Sequence, residues 1–236
     1  MQGNGSAEGN EALTDPPRRV TTRRNVLAGA AWAVPAVATA VGAPAFAASP
    51  CPTQTLAWNQ AAGTHFNSGS SWTVAGVTIS LTYSGSAGTG NANVSTNTFG
   101  GVTPNLRFAL PAGSNPTETV QFAFSAPVYN VHFTILDIDW SQTGANVAYD
   151  DSVVINTAGY TQTHGANVQG TGTSANPFMA PDAMNGTPTA NTSTAGNADL
   201  TWAGPVSATS FTYSQNNGEV SGSPQIGISA ITFTLC

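Results

Sequence analysis

The sequence predicts an all-β protein, an antiparallel β-sandwich over residues 48–236 that follows a helical N-terminal leader. Three observations carry this prediction. Apolar and polar residues alternate, as in Val77-Thr78-Ile79-Ser80-Leu81-Thr82-Tyr83, which is the period of a half-buried strand. Clusters of Gly, Pro, Asn and Ser separate roughly nine or ten such runs, and no run past the leader has helical spacing. Two cysteines, Cys51 and Cys236, stand at the two ends of the region.

Composition narrows the function classes. Of 236 residues, 40% are hydrophobic and only 7% are charged. Lysine is absent, and Arg107 is the one strong cation beyond Arg24, against eight acids in residues 48–236. Nucleic-acid binding needs several cations to neutralise phosphates, so that class is excluded. Thr, Ser, Asn and Gly are abundant, but so are Val, Ile, Phe and Trp, which disordered chains lack.

The leader is read first. Residues 1–25 are polar and contain the pair Arg23-Arg24. The apolar run from Val26 to Val41 is interrupted by Pro35 and is short for a membrane span. Ala45-Phe46-Ala47 has the small-x-small form of a cleavage site, which starts the mature chain at Ala48. An ordinary secretory signal and an amphipathic start helix are the alternatives. The long polar segment, the arginine pair and the mild apolar run favour the twin-arginine route. Thr22-Arg23-Arg24-Asn25-Val26-Leu27-Ala28 resembles twin-arginine signal peptides, with Val26 in place of Phe and Ala28 in place of Lys. The run G-A-A-W-A-V-P-A-V-A-T-A is similar to leaders of secreted actinobacterial proteins. The resemblance implies the twin-arginine translocase as the export partner. With no membrane anchor or sorting signal read at the C-terminal end, the expectation is a mature protein without a membrane span, secreted or loosely associated with the cell wall.

Outside the cell a lone cysteine pair is read as a disulfide, here one that ties the two ends of a domain together. Closing so long a loop is worth about 4–5 kcal/mol in the chain-entropy model. A lipid on Cys51 is the alternative, although Pro50 directly before it departs from a lipobox. Free or intermolecular thiols are a further option.

Strands are then assigned in order. Thr53–Asn59 is a short strand, and Trp72–Tyr83 reads as one alternating strand. Leu106–Leu110 is another, ended by Pro111. Val120–Phe124 and Val131–Ile135 read as the two arms of a central hairpin around a Ser125-Ala126-Pro127 turn. In the second arm Val131, Phe133 and Ile135 share one face, and Asp137 and Asp139 continue it. Leu136, Ile138 and Trp140 occupy the other face, and a segment apolar on both sides is central in its sheet. Val153–Tyr160 is the next strand. Gln162–Ala198 is polar and rich in Gly, Asn and Thr, and reads as a long loop, a length associated with function or flexibility. Leu200–Tyr213 echoes the central hairpin, with Pro205-Val206 spaced from Phe211-Thr212 as Pro127-Val128 is from Phe133-Thr134. This predicts two similar units, one per sheet. Ile226–Cys236 changes parity near Ser229-Ala230, as at a β-bulge. A jelly roll like those of carbohydrate-binding modules and lectins is the first expectation for the sandwich, and an immunoglobulin-like Greek key the second.

The candidate site is the acidic end of this central stretch. Asp137 and Asp139 are spaced i, i+2, so both would project from one side of a strand end. Asp150 and Asp151 open the next strand, after a loop that folds them back. Clustered carboxylates repel unless a cation or donors lie between them. Calcium takes six to eight oxygens, which makes Asp137, Asp139, Asp150 and Asp151 candidate metal ligands and calcium the candidate cofactor. Against this stands the plainer role of Asp as a turn former at strand ends. Phe133-Thr134-Ile135-Leu136-Asp137-Ile138-Asp139-Trp140, with Tyr149-Asp150-Asp151-Ser152-Val153, resembles hairpins in bacterial adhesin-type surface β-sandwiches. That resemblance implies a surface domain, calcium-stabilised in some cases.

Most aromatics lie on alternating strands and belong to the core, but Trp140 and Tyr149 flank the acidic loop and are the candidate binding residues. His65, His132 and His164 lack zinc-site spacing. There is no G-x-S-x-G, and Glu118 and Glu219 are the only glutamates in residues 48–236. Three functions are expected in order. The first is a secreted, non-enzymatic module that binds a surface glycan. The second is a structural or adhesive surface protein that contacts other proteins. The third is an extracellular hydrolase that uses the acidic cluster.

Overall fold

The computed structural model describes residues 51–143, 146–216, 219–220, 222 and 224–236. The leader, with Arg23, Arg24, Ala45 and Ala47, lies outside the described residues. Strands β1 to β5 are Thr53–Leu56, Ser71–Val74, Val77–Gly85, Asn93–Ser95 and Asn105–Ala109. Strands β6 to β10 are Gly113–Ser114, Thr117–Leu136, Trp140–Thr143, Asn146–Ile155 and Tyr160–His164. Strands β11 to β16 are Phe178–Met179, Ala198–Trp202, Val206–Gln215, Glu219–Val220, Gln225–Ile228 and Ile231–Thr234. Among the described residues every strand pairing is antiparallel.

The molecule is organised on β7, which belongs to two sheets. Its first half lies between β13 and β3, and that sheet continues to β9 and β11 on one side and β2 on the other. Its second half lies between β12 and the pair β16 and β15. That sheet ends in β10 on one side and in β1, β5 and β4 on the other. The inner faces pack on each other through aromatic contacts. Phe108 meets Phe211 at 5.9 Å between ring centroids, Phe124 meets Phe233 at 5.8 Å, and Phe122 meets Phe133 at 6.3 Å. Alternation decides which residues enter this core. Val77, Ile79 and Leu81 are buried, and Thr78, Ser80 and Thr82 face outward. The all-β expectation holds.

The predicted central hairpin does not form. Val120–Phe124 and Val131–Ile135 are parts of one 20-residue strand, and Ser125-Ala126-Pro127 is a bulge inside it. Opposite Ser207 of β13, β7 places the four residues from Phe124 to Pro127. Pro127 has no N–H to give a ladder, so it sits where the ladder is interrupted and the strand passes from one sheet to the other. Ser125 Oγ accepts the Thr78 N–H there at 2.9 Å. The Leu200–Tyr213 unit does turn, between β12 and β13. The two units are not one per sheet. They run antiparallel along each other through both, with Val206 opposite Val128.

Two further expectations are corrected. Trp72–Tyr83 is a hairpin, because Ala75 and Gly76 both adopt positive φ (49° and 84°) and make the two-residue turn that suits twisted strands. Gln162–Ala198 is not structureless. It carries β10, β11 and two short 3-10 turns, Asp182–Met184 and Thr194–Gly196. The parity change near Ser229-Ala230 separates β15 from β16, as expected.

Cys51 and Cys236 form a disulfide, with Cα atoms 4.9 Å apart. The β1–β16 register pairs Thr53 with Thr234, and continuing it outward places the two cysteines opposite each other.

Candidate functional site

The acidic end of β7 is where buried polar chemistry concentrates. The strand stops at Leu136 because Asp137 takes a left-handed backbone, φ 65°, which Asp tolerates better than most residues. Asp137 and Asp139 therefore do not continue the strand's inward face. A connector carries them to β8. Its backbone is held at each step: Asp137 N–H donates to Asn197 Oδ1 (3.3 Å), Ile138 N–H to the Gly196 carbonyl (2.7 Å), and Asp139 N–H to Asp151 Oδ2 (3.3 Å). β8 then pairs with β9, Trp140 opposite Asp150 and Ser141 opposite Tyr149. The acids of β9 fold back toward Asp139, as the sequence predicts.

The four aspartates are all buried, but they face different partners. Asp151 is held from several sides. Its Oδ1 accepts from the Tyr213 hydroxyl (2.6 Å) and Gln215 Nε2 (3.1 Å), and its Oδ2 from Asp139 N–H. Asp150, its neighbour on β9, accepts from Asn216 Nδ2 through Oδ2 (3.1 Å), and its N–H donates to Gln215 Oε1 (2.7 Å). Asp139 accepts the Thr189 N–H through Oδ2 at 3.1 Å. Asp137 Oδ1 is buried without any hydrogen-bond partner among the described residues.

Asp137 and Asp139 line a cavity of about 260 Å³, together with Asn97, Phe99, Tyr149, Asn191 and Gln225. The rim is tied by Asn197, whose Nδ2 donates to the Gly100 carbonyl at 2.9 Å, and by Gly101 N–H, which donates to the Asn191 carbonyl at 2.9 Å. Gly100 has φ +52°, and a Cβ there would fall 1.9 Å from Asn197 Oδ1, so only glycine fits. Asp150 and Asp151 are absent from the lining. Of the two candidate aromatics Tyr149 lines the cavity and Trp140 does not. Trp140 is half-buried beside Asp150, and its indole N–H has no partner among the described residues.

Electrostatics follow from crowding three carboxyls in a poorly solvated place. Burial pushes Asp137 up to about 6. Burial also raises Asp139, as do the charges of Asp151 and Asp137, against the lowering effect of the Thr189 N–H. Asp151 is raised by burial as well, but its three donors favour its anion. Burial, then the charges of Asp139 and Asp151, push the Tyr149 phenol well up, against a hydrogen bond with Ser141.

Among the described residues no group of three or more His, Cys, Asp or Glu side chains is arranged to hold a metal ion. A larger opening, about 700 Å³, lies by Ile155, Tyr160, Gln162, Thr171 and Thr173, and among the described residues no charged one lines it. The smaller cavity has the titratable groups, so it is the candidate site.

Asn97, Phe99, Asn191 and Gln225 had no signal in the sequence, since they come from separate loops and a strand start. Gln215 did have one. It continues the inward parity of Thr209, Phe211 and Tyr213, and an amide on a core face implies a buried polar partner. Trp58 and Trp202 are core residues, each donating its indole N–H to a backbone carbonyl, and form no exposed platform.

No family model matches the chain, and no curated protein matches it. Among solved structures it is similar to the adhesin domain of PrgB from Enterococcus faecalis, at 13% identity and a TM-score of 0.39. The similarity covers 67% of this chain and 60% of that one.

Proposed function

We propose that the chain is an extracellular binding module without catalytic activity, and that the cavity at Asp137 and Tyr149 takes a sugar unit of a surface glycan. The observation that carries this reading is the meeting, on the wall of one cavity, of two buried carboxyls, Asp137 and Asp139, with the ring of Tyr149. Carboxyls that meet hydroxyls, beside a ring that meets a sugar face, are what such a ligand needs. The rest of the lining suits the same ligand. Asn97, Asn191 and Gln225 carry amides that both donate and accept, and Phe99 and Tyr149 offer ring faces. Among the described residues two carboxyls and no cation line the wall, which disfavours anionic ligands. Export rests on the leader read from the sequence. The Cys51–Cys236 disulfide is compatible with an oxidising location.

The test is a glycan array probed with the disulfide-closed chain, followed by calorimetry on the strongest hit. Tyr149→Ala should weaken that hit about tenfold, the scale of one lost aromatic contact. Trp140→Phe should leave it unchanged. Tyr149→Phe guards against a folding defect and should bind within a few-fold of the parent. An array with no hit, or a hit indifferent to Tyr149→Ala, overturns the proposal.

A further inference from the structure

We infer that Arg107 binds a carboxylate on the unit next to the sugar in the cavity, so that the ligand is an acidic glycan carrying a uronate. This rests on the cavity reading above and deepens it, because it names the class of glycan.

Arg107 stands half-buried on β5 between Leu106 and Phe108, whose side chains go into the core. Across the sheet it lies opposite Asn93 of β4 and Gly227 of β15. It lines a pocket of about 180 Å³ with Asn93, Ser95, Thr96 and Asn97. This pocket and the Asp137 cavity are neighbours. Asn97 lines both, and Arg107 Nη1 donates at 3.3 Å to Oε1 of Gln225, which lines the cavity. The strands β15, β5 and β4 are consecutive in the sheet, so the step from Gln225 to Asn93 is about 10 Å. A glycan chain crosses it with a neutral unit in the cavity and an acidic unit in the pocket.

The guanidinium is held in place but not neutralised. Its Nε donates to the Gly90 carbonyl at 3.0 Å, and its Nη2 lies against Gly90. Gly90 has φ +78°, and a Cβ there would fall on Nη2, so a glycine is what lets the guanidinium lie so close to the chain. Both acceptors are neutral, a carbonyl and an amide. Arg107 is the only Lys or Arg beyond Arg24, and residues 48–236 hold eight acids. Even so, among the described residues no acid forms an ion pair with it, and the ion pair that does form joins His132 to Asp199. A fixed, unpaired guanidinium suits a carboxylate, whose two oxygens take parallel hydrogen bonds from the fork. The amides and hydroxyls of Asn93, Ser95, Thr96 and Asn97 suit the hydroxyls of the same unit. Burial raises Asp137 and Asp139 toward their protonated forms, which lessens the repulsion an acid next door meets.

The experiment probes the disulfide-closed chain on an array that pairs uronate-containing oligosaccharides with their methyl esters and with neutral sugars. The strongest acidic hit is then titrated by calorimetry beside its methyl ester, at low and high salt. The acid should bind about tenfold tighter than the ester, the scale of one charge-assisted pair, and salt should narrow the gap. Arg107→Gln should weaken the acid about tenfold and the ester far less. Arg107→Lys, which keeps the charge without the fork, should retain part of the preference. Equal loss for acid and ester in Arg107→Gln gives the residue a structural role only and overturns the inference. Hits confined to neutral sugars also overturn it, and if they need Tyr149 the cavity reading stands. Acidic hits that need Arg107 but not Tyr149 leave the carboxylate site standing and remove the cavity reading. A blank array overturns both.

Discussion

The Tyr213 hydroxyl donates to Asp151 Oδ1 at 2.6 Å, inside the sandwich, where both residues are 0% exposed. This bond joins β13 to β9. It lets a carboxylate sit in the core, because the donor replaces part of the water the charge has lost. Burial first, then the charge of Asp151 and the bond to it, push the Tyr213 phenol well above its ordinary value, so it stays a donor across the accessible pH range.

Tyr213→Phe removes that donor and leaves Asp151 Oδ1 with Gln215 Nε2 alone. The expected loss is about 1–3 kcal/mol of unfolding free energy, the cost of stripping a buried acceptor. Urea unfolding at pH 7 checks it. A variant as stable as the parent would show that the hydroxyl does not brace the strand.

Glu118 gives a pH dependence whose sign can be worked out. It is 1% exposed, Asn91 Nδ2 donates to its Oε1 at 2.6 Å, and its Oε2 has no partner among the described residues. Burial first, against the Asn91 bond, pushes it up from 4.5 to about 7. A raised folded value means that its stabilising contribution is full below pH 4.5 and is lost as pH rises through 7. The loss amounts to about 3 kcal/mol. Asp137, Asp139 and Asp151 slope in the same direction, so the readout is a difference between variants. Glu118→Gln, which keeps an acceptor for Asn91, should be less sensitive to pH than the parent between 5 and 8. Chemical denaturation across that window measures it, and parallel curves would refute the assignment.

The disulfide closes a sequence separation of 185 residues. Its removal in Cys51→Ser with Cys236→Ser restores loop entropy to the unfolded chain. The expected cost is about 4–5 kcal/mol. The native pairing of β1 with β16 should survive where the variant still folds, since Thr53–Leu56 keeps its ladder to Ile231–Thr234. Unfolding curves of the parent and the double variant give the difference directly.

Much of the fold was legible because burial on one face of a strand writes itself into the sequence at period two. Val77, Ile79 and Leu81, and Phe211 and Tyr213, lie inside as their parity says. The folding back of Asp150 and Asp151 was legible for a related reason, since a short polar loop between two strands brings its flanks together. The passage of β7 through Pro127 was not. A proline between two alternating runs reads as a turn, and only the neighbouring strand β13, one residue against four, makes it a bulge. Ala75-Gly76 was missed because an alanine with positive φ has no local signature.

By itself the sequence determined the strand class, the inward residues, the sulfur pair and the acids gathered near one strand end, because each depends on local spacing or on chain ends. Tertiary structure alone decided which acids share a cavity. Asp137 turns left-handed and its Oδ1 has no protein donor among the described residues, while Asp151 finds its donors on β13, more than sixty residues away. Partners so distant along the chain leave no trace in local pattern, and they decide which buried carboxylate is braced in the core.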